Sequence, residues 1–244
     1  MKKKTDNKLA YLDPKLSWQQ YFERQVNSVK DSRLRNFYQN GVIDPETPLS
    51  KVEFVALDFE TTGLDIDKDG IISIGLIPFT LQRIYCNKSK HWLVKPRKPL
   101  NEDSVIIHGI THSDLSDAPD LRRILDEVLE ALAGKIVVVH YQYIERQFFH
   151  RALMERINEG ILFPMVDTLA IESEVQKKAV SGWWNKLRGK KPASVRLGAS
   201  RSRYNLPAYQ PHHALVDAIA TAELLQAQIY HHYSPETPIK ALWV

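Results

Sequence analysis

Phe54-Val55-Ala56-Leu57-Asp58-Phe59-Glu60-Thr61-Thr62-Gly63-Leu64 is the stretch on which the reading of this chain turns. Four apolar residues lead into two acids spaced two apart. Side chains in a strand alternate between faces, so Asp58 and Glu60 share one face. Two like charges beside a core strand repel each other and resist losing water. A divalent cation relieves both costs, and hard carboxylate oxygens suit magnesium or manganese. Thr61, Thr62 and Gly63 then turn the chain. A strand that merely ends in solvated acids has the same local pattern, so the segment needs partners elsewhere.

Working outward, the first strand is read over 52–58. Asp65, Asp67, Lys68, Asp69 and Gly70 form a polar turn, whose later spacing does not fit a calcium loop. Ile71 to Ile77 reads as a second strand, and a third lies within Ile84 to Val94, which predicts an antiparallel meander. Leu121, Ile124, Leu125, Val128, Leu129 and Leu132 mark an amphipathic helix that stops at Gly134. Ile136-Val137-Val138-Val139 is a β-branched run suited to a strand buried on both faces, with His140 at its end. A helix follows to about Arg156, then a short strand from Phe163 to Val166 that meets Asp167. Strand, helix and strand in that order predict parallel pairing by a right-handed crossover. A last helix runs from His212 to about Tyr230. The class is therefore α/β: a mixed five-stranded sheet, three strands antiparallel and then two parallel, flanked by helices.

Before this domain, Trp18, Tyr21, Phe22, Val26 and Val29 recur at helical spacing after a capping box of Ser17 and Gln20. A second helix carries Leu34, Phe37 and Tyr38 and stops at Asn40-Gly41. The aromatic stripe is expected to pack on the main domain, with a protein-docking surface as the other reading. The expected divisions are a helical extension over 1–50, a main domain over 51–232 and a tail over 233–244. Within the main domain, residues 175–205 form an insertion holding nine lysines and arginines and no acid, interleaved with Trp183, Trp184 and Tyr204. One-sided charge with aromatic rings points to nucleic-acid contact.

Bulk properties agree. The chain has 244 residues, 43% of them hydrophobic, with a formal net charge of +4. That mildly favours a polyanionic partner. Lys2-Lys3-Lys4 is not followed by an apolar run, so no secretory signal is read, and no stretch is long enough to span a bilayer. Cys86 is the one cysteine, which excludes an intrachain disulfide and a cysteine zinc site. A cytoplasmic location is expected.

Three further residues end or begin core elements: Glu145 on the helix after strand 136–139, Asp217 near the start of the last helix, and His212 five residues earlier. Singly each has an ordinary structural reading. Glu145 could pair with Arg146, and Asp217 could answer the helix dipole. Taken in order, the set resembles the DEDD exonucleases of the histidine branch, ribonuclease H-like enzymes. Asp58-Phe59-Glu60-Thr61-Thr62-Gly63 is similar to their first motif, His108-Gly109-Ile110-Thr111 to the stretch near the terminal nucleotide, and Asp167-Thr168-Leu169 to a strand end. His212-His213-Ala214-Leu215-Val216-Asp217-Ala218 is similar to the last motif. The resemblance covers about residues 52–230. It departs at His140-Tyr141-Gln142-Tyr143-Ile144-Glu145, where Glu145 stands in place of an aspartate one methylene shorter.

The resemblance implies a 3′–5′ exonuclease that releases nucleoside 5′-monophosphates from DNA or RNA. Two divalent ions, Mg2+ or Mn2+, would be held by Asp58, Glu60, Glu145 and Asp217, with Asp58 bridging. His212 would be the general base, and His213 a surface or capping residue. Phe59, Thr61, Thr62, Gly63, Leu64, His108 and Ile110 would line the substrate site. The implied partner is a nucleic acid with a free, single-stranded 3′ end; a polymerase or another protein partner, self-association and a stand-alone enzyme are all compatible, and no membrane is implied. The rival reading is a catalytically impaired, nucleic-acid-binding or polymerase-associated subunit with the same fold. An aspartyl phosphatase fits poorly, because it would need an aspartate where Glu60 stands.

Overall fold

The computed structural model describes residues 9–97, 109–181 and 191–244. Its sheet comprises β1 (Phe54–Thr61), β2 (Ile71–Phe79), β3 (Lys90–Leu93), β4 (Ile136–Val139) and β5 (Met165–Asp167), in the order β3-β2-β1-β4-β5. β1 pairs with β2, and β2 with β3, antiparallel; β1 with β4, and β4 with β5, are parallel. This is the ribonuclease H-like mixed sheet expected from the sequence. β1 runs beyond the expected end at Asp58 because β2 goes on pairing with it, through Asp58 with Gly75 and Glu60 with Ser73. The register slips only between Glu60 and Thr61.

Alternation along β1 sets the two faces of the molecule. Val55, Leu57 and Phe59 enter one core, beneath α1 (Trp18–Ser28), α2 (Ser32–Gln39), α4 (Leu121–Leu132), which follows the short α3 (His112–Ser116), and α5 (Gln142–Ile157). Phe54 and Ala56 enter the other, against Ala218, Ala222 and Leu225 of α8 (Ala214–His232). The row Phe54, Ala56, Asp58, Glu60 thus turns from apolar to acidic on the α8 face. α8 lies close to the sheet because its contact stripe is alanine and because β2 offers Gly75. A Cβ on Gly75 would stand 2.2 Å from the Ala214 carbonyl carbon and the Leu215 nitrogen, so only glycine fits.

The outer segments join the same cores. The capping box of Ser17 and Gln20 forms, and Phe22 packs edge to face on Tyr38 and tilted on Phe37, which in turn meets Phe163 of the main domain edge to face. Residues 233–244, expected as a tail, are instead built in. Ile239 and Leu242 are buried, Pro238 bridges to Pro48 and Trp243 to Val166, and Val244 exchanges main-chain hydrogen bonds with Met165.

The basic insertion also differs from expectation. α6 (Thr168–Val180) extends into it, and α7 (Leu197–Arg203) forms within it. Arg201 is buried and pairs with Glu223 at 2.7 Å; Arg203 pairs with Glu172 at 2.9 Å. The Tyr204 hydroxyl also donates to Glu172. These three groups are therefore structural rather than free for phosphates. Burial pushes the Glu172 carboxyl up, but hydrogen bonds from Gln228, Gln176, Tyr204 and Arg203 outweigh it and leave it below its ordinary value. Trp183 and Trp184 lie outside the described residues. Among the described residues, no helix is long and apolar enough to cross a membrane.

Candidate active site

Asp58, Glu60 and Asp217 converge where β1 meets the start of α8. Each offers a carboxylate oxygen, and the three lie within 4.8 Å of one another. The first two come from the strand's period; the third comes from α8, which the bare Gly75 lets approach beside Asp58. Asp217 commits Oδ2 to the His212 backbone N–H at 2.8 Å. That reach back from the first turn of α8 to the residue before its N-cap, His213, accounts for the five-residue spacing of His212 and Asp217. His212 itself is held at φ 70°, a conformation that non-glycine residues seldom adopt. Its side chain is exposed at the mouth of the site.

Glu145 reaches the same place from α5, outside the group of three. It is 2% exposed, and its Oε2 has no hydrogen-bond partner among the described residues. Burial drives its carboxyl well above the ordinary range, the nearby Asp167 and Glu60 charges adding to this, while its own and the Phe59 backbone N–H groups pull the other way. Asp58 is likewise pushed well up, by burial and then by Glu145, Glu60 and Asp217. Asp217 is raised too, chiefly by burial, with the His212 N–H opposing. Four crowded carboxylates, one with an orphaned oxygen, form a site that is costly when empty of positive charge. The donor set is all oxygen and fits hard divalent cations.

The start of α5 is fixed by Asp167. Its carboxylate accepts from Tyr141 and Gln142 N–H, both at 3.0 Å, and also from Leu169 and Ala170 N–H at the start of α6. One carboxylate thus caps two helices and sets the height of Glu145. Tyr141, at φ 91°, absorbs the turn between β4 and α5.

The other expected site residues are placed as follows. Phe59 turns its ring away from the acids onto Phe149, 5.8 Å between centroids, so its side chain serves the core. Thr61 and Thr62 are buried; Thr61 Oγ1 donates to the Gly63 carbonyl, and Thr62 Oγ1 donates to Asp69. Asp69, read as a solvated turn residue, instead braces the loop and also accepts from Asp65 N–H. Leu64 projects into solvent at 77% exposure. His108 lies outside the described residues, and Ile110 is partly buried beside them. His213 occupies the N-cap position of α8, and its ring lies on His91, 4.7 Å between centroids.

A cleft of about 610 Å³ is lined by Asp58, His212 and Asp217 and by residues of α7, with Arg196 and Tyr209 also on its wall. Sequence reasoning included Arg196 only as one of the nine basic residues of the insertion, and did not single out Gly75 or Tyr209. The one available signal was a glycine in the middle of an otherwise β-branched strand, which often marks a close approach.

DNA polymerase III PolC-type from Thermotoga petrophila is 28% identical over 179 residues, covering 73% of this chain but 12% of that protein. DNA polymerase III subunit epsilon from Pasteurella multocida is 25% identical over 202 residues, covering 77% of this chain and 75% of that one. The chain spans about an eighth of the PolC-type length and three quarters of this epsilon subunit. Among solved structures, the nuclease domain of 3′hExo, a DEDDh family member bound to rAMP, superposes with a TM-score of 0.59 at 12% identity. It covers 74% of this chain and 92% of that one. Exonuclease X in complex with 5′ overhanging duplex DNA gives 0.55 at 20% identity, over 76% and 97%. These structures share the fold. Residues 55–225 match the exonuclease family model, and the chain belongs to that family.

Proposed function

We propose that this chain is a 3′–5′ exonuclease that hydrolyses the terminal phosphodiester of DNA or RNA and releases nucleoside 5′-monophosphates. The observation that carries the reading is the convergence of Asp58, Glu60 and Asp217 within 4.8 Å, with the orphaned Glu145 oxygen beside them. Asp58, Glu60, Glu145 and Asp217 would hold a pair of divalent cations, Mg2+ or Mn2+, which supply charge stabilisation to the phosphoryl group and lower the pKa of water.

The chain's own groups divide the remaining work. His212, exposed at the cleft mouth, takes the proton of the attacking water on an imidazole nitrogen. Its main chain, bonded to Asp217, keeps base and ligand in one unit. Asp217 leaves one oxygen for the metal side. Glu145, one methylene longer than the family's aspartate, starts from a buried position, and its carboxylate completes the acidic floor. The cleft takes a single strand with a free 3′ end. A polymerase is the partner suggested by the epsilon subunits this chain resembles.

The experiment is digestion of 5′-end-labelled single-stranded DNA and RNA of matched sequence, with Mg2+ and then Mn2+, alongside Asp58→Ala. A ladder shortening from the 3′ end, reduced at least about a hundredfold in the variant, is expected, since even partners of metal ligands matter on that scale. Unchanged oligonucleotide in both metals would favour the non-catalytic binding subunit, for which the Glu145 departure is the motive.

A further inference from the structure

The cleft that begins at Asp58 and Asp217 poses an electrostatic problem that the acids do not solve. A nucleic-acid strand carries a charge at every phosphate, and metals at the acidic floor would answer only those at the scissile bond. Other phosphates need a cation along the cleft wall. Among the described residues that line it, the basic side chains are His140, Arg196, Arg201 and His212.

Two of these are committed to the fold. Arg201 donates to the Ala220 and Pro207 carbonyls and to Glu223, all within 2.8 Å. His140 is held on both ring nitrogens. Nε2 lies 3.0 Å from the Val195 carbonyl, which can only accept, so Nε2 carries a proton; Nδ1 meets Thr168 Oγ1 at 2.8 Å. Burial lowers the His140 pKa. His212 is assigned to the water. Arg196 differs from all three. It is exposed, and among the described residues its guanidinium makes no ion pair or hydrogen bond.

Its backbone, by contrast, is anchored. The Val195 carbonyl before it receives His140. The Arg196 carbonyl accepts the Ser200 N–H in the first turn of α7. α7 is in turn fastened to α8 through Arg201 with Glu223 and to α6 through Arg203 with Glu172. A guanidinium with no partner among the described residues therefore stands on a fixed base, lining the cleft that holds Asp58 and Asp217. Among the described residues Arg196 forms no ion pair with Asp58 or Asp217, although all three line the cleft, so its charge is available to a strand lying there.

We propose that Arg196 is a substrate-binding residue that grips a backbone phosphate on the 5′ side of the scissile bond, by the forked hydrogen bonding that guanidinium offers to phosphate oxygens. This rests on reading the cleft as the seat of a nucleic-acid strand. It assigns His140 and α7 the task of holding that fork at a set distance from the acids.

The test uses the full chain and two probes: a fluorescein-labelled oligothymidylate, and thymidine 5′-p-nitrophenyl phosphate, which has no phosphate beyond the reacting one. Binding of the oligonucleotide is followed by fluorescence anisotropy in EDTA, where no cleavage occurs, over a range of salt. Arg196→Ala should weaken binding about tenfold and make the slope of log affinity against log salt shallower by about 0.7, the value for one phosphate contact on a single strand. Arg196→Lys, which keeps charge but not the fork, should fall between. In turnover, Arg196→Ala should lower the ratio of oligonucleotide to p-nitrophenyl ester kcat/KM, mainly through KM. Wild-type affinity and salt slope in the variant would overturn the assignment, as would equal losses on both substrates. If the wild-type chain binds the oligonucleotide but cuts neither probe, the exonuclease reading fails while the binding data still decide on Arg196. If the wild-type chain does not bind the oligonucleotide at all, the Arg196 proposal falls.

Discussion

Asp58 shows how much of this chain's chemistry depends on one side chain's surroundings. Its carboxyl is pushed well up by burial and by Glu145, Glu60 and Asp217. A folded-state pKa above the unfolded value means the folded chain holds that proton more tightly. The resulting stability is complete below the unfolded carboxyl pKa, about 4, and is lost as pH rises through the raised folded value. Glu145 and Asp217 shift in the same direction. Metal-free protein should therefore lose stability between mild acid and neutrality, and Asp58→Asn should flatten that slope and melt a few degrees higher near pH 7. Thermal melts in EDTA across that range decide it; parallel wild-type and variant curves would mean that the crowding has no thermodynamic cost. The acids themselves were readable because strand alternation and helix position are local properties. The environment of Glu145 was not, since its burial arises from β1, eighty-five residues back along the chain, and the lengthened side chain gave no sign of which way it would point.

At the scale of elements, the site depends on α8 lying against β2, and Gly75 permits it. Gly75→Ala would place a methyl group 2.2 Å from α8 backbone atoms. The helix must shift, carrying Asp217 and His212 with it, at a cost of about 1–3 kcal/mol for overpacking. The expected outcome is a folded protein that has lost most of its stabilisation by Mn2+ and most of its nuclease activity. Full activity in this variant would show that α8 can approach by another route. The elements themselves were largely apparent from the sequence: the capping box at Ser17, the stops at Gly41 and Gly134, and the run 136–139 all fall where expected. The basic insertion was misjudged in part. Composition showed its charge, but not that Arg201 and Arg203 find Glu223 and Glu172 on α8 and α6.

At the scale of the whole molecule, α5 ties Ala10 and the C-terminal Val244 to the core that carries the site. Gln147 is buried and bonds Ala10 in both directions, at 2.8 and 3.2 Å. Arg146 beside it donates to the Val244 carbonyl at 2.9 Å, and burial brings its pKa down to about 10. These polar residues interrupt the apolar pattern of α5, and contacts 137 residues apart leave no mark on a local window. Gln147→Ala should cost about 1–3 kcal/mol, the scale of a buried polar group left unsatisfied. That is a fall in Tm of several degrees for a chain of this size. An unchanged melting temperature would show that the 9–12 segment contributes nothing to stability.

The claim on which the rest depends is that Asp58, Glu60, Glu145 and Asp217 together form a centre for two divalent ions. Calorimetric titration of Mn2+ into the metal-free chain, beside Asp58→Asn and Glu145→Gln, addresses it without recourse to catalysis. Two bound ions per wild-type chain, with tight binding lost in Asp58→Asn and weakened in Glu145→Gln, is the expected result. Wild-type stoichiometry and affinity retained in both variants would contradict it.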